Sequence, residues 1–186
     1  MFIVEDKPNS IEAESYRTLR TNIQYSSIDK EIRSIVATSA DPQDGKSTIS
    51  GNLALSFAQN GKKVIIIDCD LRKPSMHKNF NLLVELKMQY EILIIDSPPL
   101  GAFSDGQILS TKVDGTILVV KAGESKRESV KEAKNLLNIV GANIIGVVVN
   151  KVSNGKKKNY YYYGTDEKNK ITELEKNKIK DKVNIN

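Results

Sequence analysis

The chain has 186 residues, enough for one domain with a sizeable hydrophobic core. Its net charge is +5, and the segment from Lys151 onward carries all of that excess, so residues 1–150 are neutral. A neutral body disfavours nucleic-acid binding, because a surface that follows phosphates makes the folded domain itself basic.

Targeting signals are not apparent in the sequence. The first ten residues lack the basic start and apolar run of a signal peptide, and the apolar stretch Ile144–Val149 is far too short to span a membrane. Cys69 is the only cysteine, which excludes an intramolecular disulfide and fits a reducing compartment. We therefore expect a soluble cytoplasmic protein whose membrane contact comes through a partner.

The first predicted helix covers Ile11–Tyr25, with Ser10 as its N-cap. Glu14, Arg17 and Arg20 recur at spacings of three, which places them on one side of this helix. Taken alone, the residues favour a solvent-exposed face with one intrahelical ion pair.

The stretch Ser34–Thr48 is typical of a strand, a loop and the first turn of a helix that together bind phosphate. Gly45 allows close approach of the backbone, Lys46 can reach the β- and γ-phosphates, and the Ser47 hydroxyl can bind Mg²⁺. Ala40 stands where the usual pattern has its first glycine, so an ordinary strand-to-helix turn stays open as the alternative.

Alternating strands and helices are predicted along the rest of the body. The helix after the loop has an apolar stripe of Ile49, Leu53 and Phe57 and ends at Gly61. The elements predicted after it are a strand Lys63–Asp68 covered on both faces, a helix Leu82–Tyr90, a buried strand Glu91–Asp96, a helix Asp105–Lys112, a strand Thr116–Val120, a helix opened by a capping box of Ser125 and Glu128 and ended by Gly141, and a strand Ile144–Val149. Such alternation predicts an α/β fold with a parallel sheet flanked by helices.

Three acidic residues follow strands whose carboxyl ends meet at the edge that carries the phosphate loop. Asp68 and Asp70 follow the second strand, and Asp96 follows the third. Ligands bind at this edge of open α/β sheets. Carboxylates gathered beside a triphosphate repel it unless a cation intervenes, so this set predicts Mg²⁺.

Together these motifs resemble the Walker A, A′ and B motifs of bacterial tyrosine kinases (BY-kinases), the P-loop enzymes that control capsule and exopolysaccharide synthesis. The matching strings are ADPQDGKST, IIIDCDLRKP and ILIIDSPP, and ESYRTLR resembles the family's E-x-x-R-x-x-R helix. The four adjacent tyrosines near the C-terminus resemble the family's tyrosine cluster. The resemblance covers Ser10 to about Thr165 and implies an ATP-dependent protein-tyrosine kinase.

The resemblance also assigns roles to residues of this chain. It implies catalysis by Asp68, which would activate the tyrosine hydroxyl, together with Lys46 and Arg72. The nucleotide would be bound by Asp44, Gly45, Lys46, Ser47, Thr48 and Asn150, with Asn150 at the adenine, and Mg²⁺ by Ser47, Asp70 and Asp96.

Oligomerisation and self-phosphorylation are further implications of the resemblance. Glu14, Arg17 and Arg20 would join subunits in a ring, which replaces the solvated-face interpretation. The phosphoacceptors would be Tyr160, Tyr161, Tyr162 and Tyr163. The expected organisation is a kinase domain over residues 1–152, with its oligomerisation helix at about 10–25, and a flexible tail over 153–186. The partner would be a cytoplasmic segment of a membrane-bound polysaccharide co-polymerase.

One departure from the family is large. Only residues 71–91 join the A′ and B motifs, where the family has several tens of residues, so we predict an internal deletion that still leaves room for a βαβ crossover. Two alternatives to an active kinase therefore stay open: a nucleotide-binding interaction module that has lost phosphoryl transfer, and a partitioning-type P-loop ATPase switch.

Overall fold

The computed structural model describes residues 2–26, 31–69 and 80–152, and the side chains of 80 and 81 are not part of that description. Within these ranges the helices are α1 Ile3–Asp6, α2 Ile11–Gln24, α3 Lys46–Gln59, α4 Phe80–Gln89, α5 Asp105–Ser110 and α6 Arg127–Ile139. The strands are β1 Ser34–Ser39, β2 Val64–Asp68, β3 Ile92–Asp96, β4 Gly115–Lys121 and β5 Ile144–Asn150.

The five strands form one sheet in the order β2-β3-β1-β4-β5, and every neighbouring pair is parallel. The α/β fold predicted from the sequence is therefore confirmed. The parallel pairing of β2 with β3 also confirms that the short connection between them still closes a crossover unit. Because β1 is central, it carries the phosphate loop into the middle of the sheet edge.

Helices cover both faces of the sheet, because successive strand residues point to opposite sides. On one face, Ile49, Leu53 and Phe57 of α3 pack with Ile35 and Ile94, as the stripe predicted. On the other face, α6 contributes Ala133 and Leu137, and α5 contributes Leu109. The site thus stands on a strand that is buried from both sides.

The N-terminal elements agree with the sequence only in part. Ser10 caps α2 as predicted, since its Oγ accepts a hydrogen bond from Ala13 N at 3.1 Å. The short helix α1 was not predicted. It is held on α3, where Val4 N donates to Asn52 Oδ1 at 3.0 Å and Gln59 Nε2 donates to Val4 O at 3.1 Å.

Two predictions about local structure are wrong. The strand predicted to be covered on both faces, β2, is the edge strand of the sheet that the described residues form, and its Ile66 is 45% exposed. Ser125 and Glu128 do not form a capping box: the N-cap of α6 is Lys126, which makes no side-chain capping bond. The hydroxyl of Ser125 bonds elsewhere, to the phosphate loop.

Within residues 2–26, 31–69 and 80–152, no helix is both long and apolar enough to cross a membrane.

Candidate active site

Three parallel strands bring their carboxyl ends to one edge of the sheet. β1 ends at Ser39 where the phosphate loop begins, β3 ends at Asp96, and β2 ends at Asp68. The register pairs Asp96 with Ala37 on one side and with Asp68 on the other. The two described acids and the phosphate loop therefore share one edge, as the sequence predicted.

The two acids differ in their exposure. Asp96 is 5% exposed, and its main-chain oxygen accepts a hydrogen bond from Cys69 N at 2.8 Å, whereas Asp68 is exposed. Carboxylate oxygens suit Mg²⁺. Across the part of the chain that the structure describes, no group of three or more His, Cys, Asp and Glu residues could hold a metal ion. Asp70, the third predicted acid, lies outside the described residues.

Cys69 lies between Asp68 and Asp70 in the sequence, and its side chain is buried. Burial, and then the negative charges of Asp68, Asp96 and Asp105, raise the pKa of its thiol from 9.0 to about 12. The thiol is therefore protonated at neutral pH, which disfavours a role as a nucleophile.

The loop that follows β1 has the backbone shape of a phosphate cradle. Gln43 and Gly45 have positive φ angles of 63° and 97°, and Gly45 is the N-cap of the 14-residue helix α3. A Cβ atom at Gly45 would lie 2.0 Å from Asn150 Nδ2, so only glycine fits between the loop and β5. The N-terminal N–H groups of α3 and its dipole favour an anion at this point.

Lys46 is 7% exposed, and its Nζ donates a hydrogen bond to Ser39 Oγ at 3.2 Å. Ser39 Oγ in turn donates to Asp41 O at 2.6 Å. The ammonium group is thus held where β1 ends and the phosphate loop begins, at the edge of the sheet where the acids lie. Ser47 and Thr48 follow in the first turn of α3 and are exposed.

Ala40, which replaces the usual first glycine, is accommodated by its neighbours. It is 3% exposed and packs with Leu100 and Leu118. Gly101 N donates to Ala40 O at 3.2 Å, and a Cβ atom at Gly101 would lie 2.9 Å from that oxygen. The segment after β3 therefore holds the start of the loop, and alanine fits there without a positive φ.

Asp44 is held by residues at the carboxyl ends of two other strands, β4 and β5. The residue that binds its carboxylate was not predicted from the sequence. Ser125 Oγ donates to Asp44 Oδ1 at 2.9 Å, and Asn150 Nδ2 donates to Asp44 O at 2.9 Å. The spacing of this serine from Glu128 matches a capping box, so the sequence pattern predicts a helix cap instead. A polar residue just after a strand that neighbours the phosphate loop was the signal that could have found it.

The three residues predicted for oligomerisation do not share one environment. Glu14 and Arg17 form an ion pair of 2.9 Å on the exposed side of α2, with the two side chains 66% and 29% exposed. Arg20 Nη1 instead donates to Ser56 O at 2.9 Å, which ties α2 to α3. Arg20 also borders a cavity of about 490 Å³ at the far edge of the sheet.

Several predicted site residues lie outside the described residues: Asp70, Arg72, Tyr160, Tyr161, Tyr162 and Tyr163. Their roles stay predictions, as does the division of the chain at residues 152 and 153.

Comparison with known proteins gives consistent matches. Residues 35–184 match the family described as CobQ/CobB/MinD/ParA nucleotide binding domain. The chain is 33% identical over 215 residues to tyrosine-protein kinase YwqD of Bacillus subtilis (strain 168), covering 88% of this chain and 91% of that protein. It is 31% identical over 193 residues to tyrosine-protein kinase CpsD of Streptococcus agalactiae serotype Ia, covering 75% of this chain and 82% of the relative.

A solved structure agrees with these relatives. The crystal structure of the chimerical protein CapA2B2 superimposes with a TM-score of 0.74 at 30% identity. The match covers 81% of this chain and 89% of the solved chain.

Proposed function

The chain belongs to the CobQ/CobB/MinD/ParA nucleotide-binding family and is one of its protein-tyrosine kinases, and from this premise we propose that it uses Mg·ATP to phosphorylate its own C-terminal tyrosines. The observation that carries the proposal is the shared sheet edge, where Lys46 and the phosphate loop lie beside Asp96 and Asp68. Homologues that are named tyrosine kinases make phosphoryl transfer the function that best fits this edge.

Most residues of the site would bind the nucleotide and its Mg²⁺ ion. The backbone N–H groups at the start of α3 and the ammonium of Lys46 bind the phosphates. Asn150, which lies beside the loop, would contact the adenine. Ser47, Asp70 and Asp96 would hold Mg²⁺, whose charge, when it is bound, offsets that of the transferring phosphoryl group. These oxygen donors fit that cation.

Transfer joins the tyrosine oxygen to the γ-phosphorus while the bond from that phosphorus to the bridging oxygen of ADP breaks. Asp68 is exposed at the edge, where it can accept the proton of the tyrosine hydroxyl. Arg72 would lie near the phosphates. The acceptors are Tyr160, Tyr161, Tyr162 and Tyr163, presented by one subunit to its neighbour.

The subunits would assemble as a ring through α2, with Glu14, Arg17 and Arg20 at the contacts. A cytoplasmic segment of a membrane-bound polysaccharide co-polymerase would recruit the ring to the inner face of the membrane, where phosphorylation regulates capsule or exopolysaccharide synthesis. Each phosphotyrosine adds about −1.5 to −2 charges, so full phosphorylation reverses the sign of the basic tail and would loosen the ring.

A shortened segment between the A′ and B motifs would limit the rate of transfer. The alignment with YwqD runs over 215 residues, more than the 186 of this chain, so it contains positions that this chain lacks. We place them at residues 71–91, which leaves the acceptor less enclosed. Transfer should then be slow, or should depend on the partner segment to complete the site.

The test combines nucleotide binding with transfer. Mg·ADP at a hundred times its Kd should stabilise the protein by about 2.7 kcal/mol, and Lys46→Ala should abolish this shift while the exposed control Lys131→Ala keeps it. Labelled ATP should then place phosphate on tyrosine in the wild type but not when Tyr160, Tyr161, Tyr162 and Tyr163 are all changed to Phe. Single-turnover measurements with and without the partner segment measure its contribution.

The outcomes separate the alternatives. A melting temperature unchanged by millimolar Mg·ADP contradicts nucleotide binding at this site. Binding without phosphotyrosine, even with the partner segment, contradicts the proposed self-phosphorylation and favours the interaction module. Rapid unaided transfer shows that the short segment does not limit the reaction.

A further inference from the structure

Asp44 is fixed twice, through its carboxylate and through its main chain, by residues outside the phosphate loop. Ser125, after β4, donates to Asp44 Oδ1, and Asn150, at the end of β5, donates to Asp44 O, each at 2.9 Å. The side chain of Asp44 is only 3% exposed. A buried carboxylate needs such donors, because water does not reach it.

The position of Ser125 is itself determined by a tight turn. Ser125 N donates to Lys121 O at 3.1 Å, and Ser125 Oγ accepts from Lys121 N at 2.8 Å. Gly123, with a φ of 74°, allows this turn. A hydroxyl has one proton to donate, and since Oγ accepts from Lys121, that proton is directed to Asp44.

The hydrogen bond from Ser125 has an ionised acceptor, which makes it stronger than a bond between neutral groups. Asp44 directly precedes Gly45 and Lys46, so the direction of its carboxylate is coupled to the backbone that begins α3. The second carboxylate oxygen, Oδ2, accepts from Asp41 N at a long 3.4 Å, so Ser125 makes the shorter of the two contacts.

We propose that Ser125 is a positioning residue of the phosphate-binding loop. Its hydroxyl fixes Asp44, and through Asp44 it holds Gly45 and Lys46 in the conformation that receives the phosphates. The inference rests on the proposed nucleotide binding at this loop and adds to it a residue outside the recognised motifs. Ser125 acts on the loop through Asp44, so it affects nucleotide affinity rather than the chemical step.

Ser125→Ala tests this inference, with Ser125→Thr as the variant that keeps the hydroxyl. We expect the alanine variant to raise the Kd for Mg·ADP and the KM for Mg·ATP about tenfold, which corresponds to about 1.4 kcal/mol, with kcat within about twofold. The threonine variant should restore both constants. Glu124→Gln, which changes the 64% exposed side chain of the Lys121–Glu124 ion pair in the same turn, is the matched control and should leave them unchanged.

Two further measurements test the inference, and the first of them does so apart from the proposed function. Hydrogen exchange of residues 40–49 in the nucleotide-free protein should be about tenfold faster in Ser125→Ala and unchanged in Ser125→Thr. Asp44→Ala combined with Ser125→Ala should cost no more affinity than the larger single change, because each single change already removes the bond between these two residues.

Unchanged exchange in Ser125→Ala, or an alanine variant that binds Mg·ADP like the wild type, overturns the inference. A threonine variant as weak as the alanine one also overturns it. Failure of the wild type itself to bind Mg·ADP contradicts the proposed function instead, and the exchange measurement still decides whether Ser125 positions the loop.

Discussion

Single residues at the site are constrained by the strands beside them. Gly45 cannot carry a Cβ because Asn150 lies against it, and Ala40 can carry one because Leu100 and Leu118 pack around it. Cys69 shows the same dependence in its chemistry, since burial, and then the negative charges of neighbouring acids, raise the pKa of its thiol. At this scale, neighbours rather than residue type decide what each side chain can do.

Cys69 should resist alkylation in the folded protein. A thiol pKa of about 12 leaves roughly a thousandfold less thiolate at pH 8 than a pKa of 9.0 would. We expect iodoacetamide in the presence of EDTA to label the unfolded chain rapidly and the folded chain very slowly, as followed by mass spectrometry. Cys69→Ser is the unlabelled control, and equal rates in the two states would contradict the burial of this thiol.

The same shift gives the pH dependence of stability. The raised pKa means that the folded protein keeps the thiol proton when the unfolded chain has lost it. The stabilisation is therefore complete below about pH 9 and is lost as the pH rises through about 12. Cys69→Ser should remove this part of the alkaline loss of stability, as measured by urea unfolding.

At the scale of elements, Asp114, which directly precedes β4, joins β1 to α4 at the edge of the sheet opposite the active site. Its Oδ2 accepts from Ser34 N at 2.9 Å and from Ser34 Oγ at 2.7 Å at the start of β1, and from Lys87 Nζ of α4 at 3.1 Å. Arg33 adds bonds to the main-chain oxygens of Lys87 and Tyr90. This network fixes α4, the described part of the short crossover from β2 to β3.

Asp114→Ala should destabilise the fold without weakening nucleotide binding. Loss of a buried, ionised acceptor leaves several donors without a partner, and we expect about 3 kcal/mol and a fall in Tm of roughly 6–12 °C. Glu124→Ala, which removes the 64% exposed partner of an ion pair within one turn, should change Tm by about 2 °C or less. Calorimetry checks both variants, and an equally small change in Asp114→Ala would contradict the network.

At the scale of the whole molecule, both edge strands expose apolar side chains. Ile66 on β2 is 45% exposed, and Val147 and Val149 on β5 are 57% and 55% exposed. The exposed side of α2 is instead charged, through Glu14 and Arg17. Arg20 supports the fold through Ser56, so it is a poor residue for testing assembly.

Assembly is tested with Glu14, which is 66% exposed, and with its ion-pair partner Arg17, which is 29% exposed and also donates to Pro8 O at 2.6 Å. Glu14→Ala combined with Arg17→Ala should give a smaller species than the wild type by light scattering, because the side chains proposed at the contacts are lost. Thr18→Ala, also exposed on α2, is the control that should keep the wild-type size. A wild type that runs as a monomer would contradict the proposed ring, and a change in Tm would show that the double variant acts through the fold.

The sequence by itself determined the helices and strands from α2 onward and the edge of the sheet that carries the site residues. The stripe of Ile49, Leu53 and Phe57 predicted α3, because apolar residues at helical spacing need one face to bury. Strands alternating with helices predicted the parallel sheet, whose carboxyl ends gather Asp68 and Asp96 beside the loop. These features depend on local periodicity and on short motifs, which a single chain displays directly.

Only the tertiary structure decided the order of the strands in the sheet and the contacts between residues that follow different strands. An apolar run such as β2 does not reveal how many neighbours it will have, so its edge position and the exposure of Ile66 were not predicted. Ser125 and Asp44 are far apart in the sequence and meet only because β4 lies next to β1. The spacing of Ser125 from Glu128 favoured a local helix cap, but the hydroxyl of Ser125 instead makes the stronger bond to the buried carboxylate of Asp44. Which of these two bonds forms is decided only when the strands assemble and bring Asp44 within reach.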